Sequence, residues 1–276
     1  NLNKEPDIEV VATARDPYEA RDAILEFKPD IMTLDIELPK MNGIDFLRKL
    51  IPQYPMPVIV ISSLSDKVFD ALSAGAVDFV AKPHTLDKQA IEDFITNEMP
   101  AKIKIAAVAK ITNLRTKTPE SFLPADKLNK MIVAIGASTG GTEAIAAVVK
   151  EFRPDIPGVV VVQHMPPGFT KMYADRLDAM SMVTVREARS GDVVKPGQVL
   201  IAPGGDKHMH LMNVNGEYQV VLKREPKVNS VCPAVDVLFD DVAKVAGSNA
   251  LGIILTGMGA DGARGLLAMR NAGAET

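Results

Sequence analysis

The sequence predicts an α/β protein with two doubly wound parallel-sheet domains joined by a linker. Short, continuous β-branched runs such as residues 132–135 and 159–162 suit strands that are buried on both faces of a parallel sheet. Such runs alternate with helical patterns along the chain. A polar stretch with two prolines interrupts this alternation near the middle. We therefore expect domains at residues 1–110 and 130–276, with a linker at residues 111–129.

The predicted elements of the first domain follow one another at short intervals. Strand patterns lie at residues 8–12, 30–35, 58–61 and 77–80, and helix patterns lie at residues 18–26 and 46–51. A longer amphipathic helix is predicted over residues 86–110, with a break at Pro100 because proline lacks the N–H that a helix interior needs. This order of elements is typical of a doubly wound sheet.

Three polar side chains of the first domain fall at the carboxyl ends of predicted strands. They are Asp35, Ser62 and Lys82, and Phe79 lies close by. Because these strand ends share one edge of a parallel sheet, an acid, a hydroxyl and an ammonium can together bind a phosphoryl group and a divalent metal. Taken singly, each also fits an ordinary role as a turn acid, a helix cap or a surface charge.

With these residues and the run Leu-Asp-Ile-Glu-Leu-Pro at 34–39, the first domain resembles the flavodoxin-like receiver domain of two-component response regulators. The resemblance implies that Asp35 accepts the phosphoryl group and binds Mg²⁺. It implies that Ser62 and Lys82 contact the phosphoryl group, and that the aromatic side chain of Phe79 repacks on activation. The other Mg²⁺ ligands of this family are acids on a first strand, which we expect to be missing here because the sequence opens on what looks like the end of the first helix.

Composition excludes several classes of function. The net charge is −4 with 24% charged residues, which gives no indication of a nucleic-acid surface. No apolar run approaches the roughly 20 residues that span a bilayer, so no membrane insertion is expected. The single cysteine, Cys232, excludes an internal disulfide framework and fits a reducing compartment. The sequence therefore predicts a cytoplasmic protein.

The second domain is organised around a glycine-rich turn at residues 136–141, between a buried strand and a helix pattern. Ser138 lies in this turn, where free backbone N–H groups at a helix start can hold a developing oxyanion. Two other strand patterns end near His164 and Asp261. Because parallel strand ends share an edge, the three residues can converge, with Ser138 as the nucleophile, His164 as the base and Asp261 as the group that orients the imidazole.

The glycine turn also has other interpretations. A serine in such a turn is often a helix cap. Residues 136–140 fit the G-x-S-x-G pattern, but an α/β-hydrolase orders its triad serine, acid, histidine, whereas the order here is Ser138, His164, Asp261. A dinucleotide site would have a different glycine spacing and an acid at the end of the next strand, where Gln163 and His164 lie instead.

Four motifs make the second domain resemble the Rossmann-like catalytic domain of the chemotaxis protein-glutamate methylesterase (CheB) family. They are Gly-Ala-Ser-Thr-Gly-Gly at 136–141, Gln-His-Met-Pro at 163–166, Ala-Pro-Gly-Gly at 202–205 and Thr-Gly-Met-Gly-Ala-Asp-Gly at 256–262. The resemblance implies Ser138, His164 and Asp261 as catalytic residues, with Thr139 and Met258 beside them. It also implies a carboxyl-terminal segment that this sequence lacks.

The same resemblance implies an activity and its partners. Glutamate γ-methyl esters on methyl-accepting chemotaxis receptors would be hydrolysed with release of methanol, and receptor glutamines would be deamidated. A chemotaxis histidine kinase would phosphorylate the receiver domain with Mg²⁺, whereas ester hydrolysis would need no cofactor.

Some residues of the second domain remain open to two interpretations. His208 and His210 alternate along a strand and can be metal ligands, although a third ligand is not evident and a surface strand is favoured. Residues 228–233 with Asp236, and Arg264, can line a substrate groove or lie on an ordinary surface. Two other classes of protein are alternatives: a nicotinamide oxidoreductase, and a response regulator with a DNA-binding output domain.

Overall fold

The computed structural model describes residues 2–63, 67–83, 88–107, 130–257 and 259–276. The chain divides into two compact units, Asn1–Arg115 and Thr116–Thr276. Both contain parallel sheets flanked by helices, so the predicted α/β class is confirmed. The expected linker at residues 111–129 lies outside the described residues.

The first unit contains a three-stranded parallel sheet in the order β1-β2-β3. After a 3₁₀ turn at Leu2–Lys4, its elements are α1 (Pro17–Phe27), β1 (Met32–Asp35), α2 (Gly43–Leu50), β2 (Val58–Ser62), α3 (Lys67–Ser73), β3 (Asp78–Ala81), α4 (Lys88–Asp93), a π-helical segment (Phe94–Glu98) and α5 (Met99–Ala107). Capping explains where two of the helices begin. The Asp16 carboxyl group accepts hydrogen bonds from the N–H groups of Tyr18 and Glu19, and the Asn42 side chain accepts one from Ile44.

Two predictions for this unit are wrong in part. Residues 8–12 form no strand, because no described strand pairs with them, and Val10 and Val11 are exposed. The helical irregularity in residues 88–107 precedes Pro100 instead of lying at it. Pro100 cannot donate a hydrogen bond to the carbonyl group four residues earlier, and the chain forms a π-turn there in which Met99 N–H bonds to Phe94 O.

The second unit contains a five-stranded parallel sheet in the order β10-β4-β5-β7-β6 and a separate antiparallel hairpin, β8-β9. Its elements are β4 (Ile132–Ala137), α6 (Gly141–Lys150), β5 (Gly158–Gln163), α7 (Phe169–Met180), β6 (Thr184–Glu187), β7 (Gln198–Ile201), β8 (Lys207–Val214), β9 (Glu217–Arg224), α8 (Val235–Val245), a 3₁₀ turn (Gly247–Asn249), β10 (Ala250–Ile254) and α9 (Ala263–Asn271). Strand β4 lies between β5 and β10, so three neighbouring strands end at one edge.

Burial explains why β4 and β5 are continuous apolar runs. Every residue of both strands is buried, as expected for inner strands of a parallel sheet. Helix α8 packs against this sheet with Leu238 and Phe239, which are fully buried. At Gly136 a Cβ atom would lie only 2.3 Å from Cγ1 of Val235. Glycine at the end of β4 therefore allows the first turn of α8 to approach the sheet edge.

Candidate active site

Three polar side chains meet at the sheet edge formed by β10, β4 and β5. Ser138 follows β4, His164 follows β5, and Asp261 lies in the loop after β10. The distance from His164 Nδ1 to Ser138 Oγ is 3.1 Å, and that from His164 Nε2 to Asp261 Oδ2 is 2.8 Å. The structure therefore brings together the three residues predicted from the sequence. Their arrangement, with His164 between Ser138 and Asp261, is the one expected of a nucleophile, a base and an orienting acid.

The contacts of His164 select one tautomer of its ring. Nε2 faces a carboxylate, which only accepts hydrogen bonds, so Nε2 carries the ring proton and donates a hydrogen bond to Asp261. Nδ1 is then an acceptor, and the Ser138 hydroxyl donates to it. The imidazole is thus oriented to receive a proton from Ser138.

Four donors hold the Asp261 carboxylate. Oδ2 accepts from His164 and from the backbone N–H of Val235 at 2.7 Å, while Oδ1 accepts from Asn229 Nδ2 at 2.9 Å and from the Asp236 N–H at 3.1 Å. Val235 and Asp236 begin helix α8, whose amino-terminal dipole also favours an anion. Burial by itself raises the pKa of Asp261, but the bonds from His164, Val235, Asn229 and Asp236 outweigh it, and the net pKa is lowered. Asp261 is consequently ionised at neutral pH.

The glycine turn fixes the backbone around Ser138. Ser138 N–H donates to Thr256 O, and Gly141 N–H donates to Ser138 O. Within the described part of the chain, the N–H groups of Thr139 and Gly140 have no hydrogen-bond acceptor. Gly140 has a φ of +74°, which a side chain would disfavour, and it precedes the first residue of α6. These two N–H groups, next to Ser138 and at a helix start, are suited to hold an oxyanion.

Gln163 is a buried residue that links Ser138 and His164. Its Nε2 atom donates to Ser138 O at 2.8 Å and to His164 O at 3.2 Å, and only 3% of the residue is exposed. A Cβ atom on Gly141 would lie 2.0 Å from Gln163 Oε1 and 2.6 Å from Ala137 Cβ, so any side chain there would displace Gln163. The sequence showed Gln163 as part of a motif but did not predict its hydrogen bond to Ser138. That bond depends on the strand register that pairs Ala137 with Gln163.

The remaining nominated residues of this unit have different positions. Thr139 is buried, and its carbonyl oxygen accepts a hydrogen bond from Thr256 Oγ1 at 3.1 Å. Met258 lies outside the described residues. The expectation of a surface strand at His208 is wrong, because this side chain is fully buried, with Nδ1 accepting from Ala234 N–H and Nε2 donating to Pro226 O. His210 bonds instead to Asp241 and Glu225.

In the first unit, Asp35 and Lys82 form an ion pair at the sheet edge. Lys82 Nζ lies 2.5 Å from Asp35 Oδ2. Ser62 is buried, and its hydroxyl donates to the Ser63 carbonyl oxygen. Phe79 is buried against Phe69 in an edge-to-face arrangement with ring centroids 6.5 Å apart. The ammonium group therefore faces the acid directly, whereas the hydroxyl and the aromatic ring have other contacts.

The described residues contain no group of three or more His, Cys, Asp or Glu side chains that could hold a metal ion. Asp35 alone therefore does not complete a Mg²⁺ site among them. A helix long and apolar enough to cross a membrane is likewise absent from the described parts of both units.

Comparison with known proteins gives matches over both units. The family model described as CheB methylesterase matches residues 133–276, and that described as response regulator receiver domain matches residues 1–93. A protein-glutamate methylesterase/protein-glutamine glutaminase 2 from Syntrophomonas wolfei is 56% identical over 278 residues, covering 100% of this chain and 80% of that protein. The protein-glutamate methylesterase/protein-glutamine glutaminase of Escherichia coli K12 is 48% identical, covering 100% and 80%.

A solved structure is also similar to this chain. The Thermotoga maritima CheB methylesterase catalytic domain has a TM-score of 0.51 and 46% identity, covering 52% of this chain and 76% of that one. Together with the sequence matches, this similarity confirms both resemblances that the motifs indicated.

Proposed function

Because the chain belongs to the CheB methylesterase family, we propose that it hydrolyses glutamate γ-methyl esters on methyl-accepting chemotaxis receptors, releasing methanol, and that it also deamidates receptor glutamines. The observation that carries this proposal is the chain of contacts from Ser138 Oγ through the His164 ring to Asp261. Measurement of methanol release from methylated receptor membranes tests it directly.

In the proposed first step, Ser138 Oγ attacks the γ-carbonyl carbon of the ester while His164 Nδ1 takes the serine proton. The carbonyl oxygen becomes an oxyanion, for which the N–H groups of Thr139 and Gly140 are the proposed donors. Asp261 stabilises the imidazolium through the Nε2–H bond and holds the ring in place. The imidazolium then gives its proton to the departing methoxide, which leaves as methanol.

In the second step, water replaces methanol in the same geometry. His164 takes a proton from the water molecule, which attacks the acyl carbon, and the ester bond to Ser138 breaks as its oxygen regains a proton. The product is a free glutamate side chain. With a glutamine substrate, the leaving group of the first step is ammonia instead of methanol, and the second step is the same.

The close packing of Gly257 on Ser138 gives a test of this geometry. A Cβ atom at residue 257 would lie 2.7 Å from Ser138 Cβ, so Gly257→Ala must displace the nucleophile. We expect turnover to fall about 100-fold, because misplacing a reacting atom by about 1 Å costs that much.

Gly191→Ala is a control for the loss of a glycine, since nothing lies within 4 Å of its Cβ position, although its φ of +92° strains the backbone when a side chain is added. If Gly257→Ala hydrolyses the receptor ester as fast as Gly191→Ala does, the proposed position of Ser138 is wrong.

Phosphorylation of the receiver domain regulates this activity, and we propose Asp35 as the phosphoacceptor and a chemotaxis histidine kinase as the donor. The Lys82 ammonium beside Asp35 favours added negative charge at this position. Ser62 and Phe79 are the proposed switch residues, which would leave their present contacts with Ser63 and Phe69. The Mg²⁺ that receiver phosphorylation implies would need ligands in addition to Asp35.

Asp35→Asn should abolish labelling by a radioactive acyl phosphate or by the kinase. Unmodified protein should gain about 5- to 150-fold in methanol release on phosphorylation, the range typical of such couplings, and the variant should gain nothing.

Asp45→Asn is the matched control, because Asp45 is an exposed carboxylate on α2 whose ion pair in the described part of the chain is with Arg48. Equal labelling of the Asp35 and Asp45 variants would move the phosphorylation site elsewhere.

The organisation proposed for the chain is a receiver domain at residues 1–110, a linker at 111–129 and a methylesterase domain at 130–276. The free thiol of Cys232 agrees with a reducing compartment. The proposed location is the cytoplasm, because the protein would have to reach its receptor substrate and its kinase there.

A further inference from the structure

A tight turn lies beside Asp261, at residues 228–231. Val228 and Val231 exchange two backbone hydrogen bonds, of 3.2 and 3.0 Å, and the two residues between them have positive φ values, +52° for Asn229 and +67° for Ser230. This is the backbone of a type I′ turn, in which asparagine is favoured at the first central position. The turn alone would explain an asparagine at residue 229, so a further role must come from its side chain.

The side chain of Asn229 lies between two carboxyl groups. Its Nδ2 atom donates one hydrogen bond to Asp261 Oδ1 and one to Asp236 Oδ2, both at 2.9 Å. Asp236 is only 2% exposed, and its Oδ1 accepts from the N–H groups of Gly262 and Gly265. Asn229 itself is exposed, so its amide group covers the two acids on the solvent side.

The loop that carries this turn is anchored at both ends by a buried side chain. His208 Nε2 donates to Pro226 O, and its Nδ1 accepts from Ala234 N–H, each at 3.0 Å. Because His208 is fully buried, water does not compete for these bonds. The anchoring fixes the position of Asn229 relative to Asp261, which a free surface loop would not do.

We propose that Asn229 is a positioning residue for Asp261. The Asn229 amide group holds Asp261 Oδ1, so that Asp261 Oδ2 stays directed at His164 Nε2. The amide also separates Asp261 from Asp236. The ionisable groups that face Asp261 are His164 after β5, Asp236 on α8 and Arg264 on α9. Among the described residues, Asn229 and His164 are the two side-chain donors to Asp261, and only Asn229 bonds to Oδ1. This inference rests on the proposed function of the same site.

The test compares two asparagines in the same backbone conformation. Asn215 also has a positive φ, +53°, and lies with Gly216 in the turn between β8 and β9, where its side chain has no described contact with a carboxyl group. Glycine accepts a positive φ at no steric cost, so Asn229→Gly removes the amide without straining the turn. Asn215→Gly measures the same loss of a turn asparagine away from the site.

We expect kcat for methanol release to fall roughly tenfold in Asn229→Gly with KM unchanged, as for the loss of a hydrogen bond to a charged group that does not touch substrate. Asn215→Gly should match the unmodified protein. The rate at which a fluorophosphonate probe labels Ser138 should fall by the same factor, and the low-field NMR signal of the His164 Nε2 proton should move or broaden only in Asn229→Gly.

Three outcomes would overturn the inference. In the first, the labelling rate and kcat of Asn229→Gly stay within about twofold of the unmodified protein. In the second, kcat falls equally in Asn215→Gly. In the third, KM of Asn229→Gly changes while kcat does not, which would make Asn229 a substrate contact. Unmodified protein that labels at Ser138 but releases no methanol would refute the proposed substrate, and the labelling ratio would still decide the role of Asn229.

Discussion

Replacing Ser138 by alanine should reduce methanol release to the background rate. In the proposed mechanism this side chain supplies the attacking oxygen, and in the described site no other hydroxyl bonds to His164. The fold should survive, because the lost hydroxyl makes one hydrogen bond and is partly exposed, so the free energy of unfolding should change by no more than about 1 kcal/mol. Methanol release and thermal unfolding, measured on the same preparation, check both statements.

Ser181→Ala is the matched control for this substitution. Ser181 is also partly exposed, and its hydroxyl makes one hydrogen bond of similar length, 3.2 Å to Val183 O, at the end of α7. We expect this variant to keep full turnover. Folded Ser138→Ala protein that still releases methanol at a comparable rate would contradict the assignment of the nucleophile.

Asp261→Asn should lower turnover by about 10⁴-fold, by analogy with the same change in the triad of other serine hydrolases. If the asparagine amide faced Nε2, it would force the imidazole proton onto Nδ1, the nitrogen that faces Ser138. The ring could then no longer accept the serine proton. An NH₂ group in place of Oδ1 would face the donors of Asn229 and Asp236, and one in place of Oδ2 would face the Val235 N–H, so either orientation should destabilise the fold by about 1–3 kcal/mol.

Asp178→Asn provides the comparison, since Asp178 is a carboxylate that accepts a backbone hydrogen bond from Val185 at 2.7 Å and has no contact with His164. It should lose little turnover. A loss of less than about tenfold in kcat for Asp261→Asn would mean that this carboxylate does not control the tautomer. Folded protein should be confirmed by thermal unfolding before the rates are compared.

The positions of the chemically important side chains could be predicted because each lies where a local pattern ends. Buried strands are visible as β-branched runs, and parallel strands bring their carboxyl ends together. That was enough to nominate Ser138, His164 and Asp261, and to place Asp35 and Lys82 at one edge. The strand order that unites them, with β4 between β5 and β10, agrees with this reasoning.

Predictions from local sequence patterns were wrong where a residue's environment is formed by distant parts of the chain. Residues 8–12 have a strand-like composition but no described strand to pair with, and hydrogen bonding to a neighbour is what makes a strand. His208 looked like a surface residue, yet it is buried by packing of the β8-β9 hairpin against α8.

The sequence by itself determined the α/β class, the two-part organisation and the identity of three converging side chains, because those follow from periodicity and from motifs within a few residues. Tertiary structure alone decided which imidazole nitrogen faces Ser138, how Gln163 links two strand ends, and that Asn229 bonds to Asp261 across 32 positions of sequence. Such contacts depend on strand register and on the packing of α8 against β4. Neither is encoded in any single segment, so both emerge only when the chain is folded.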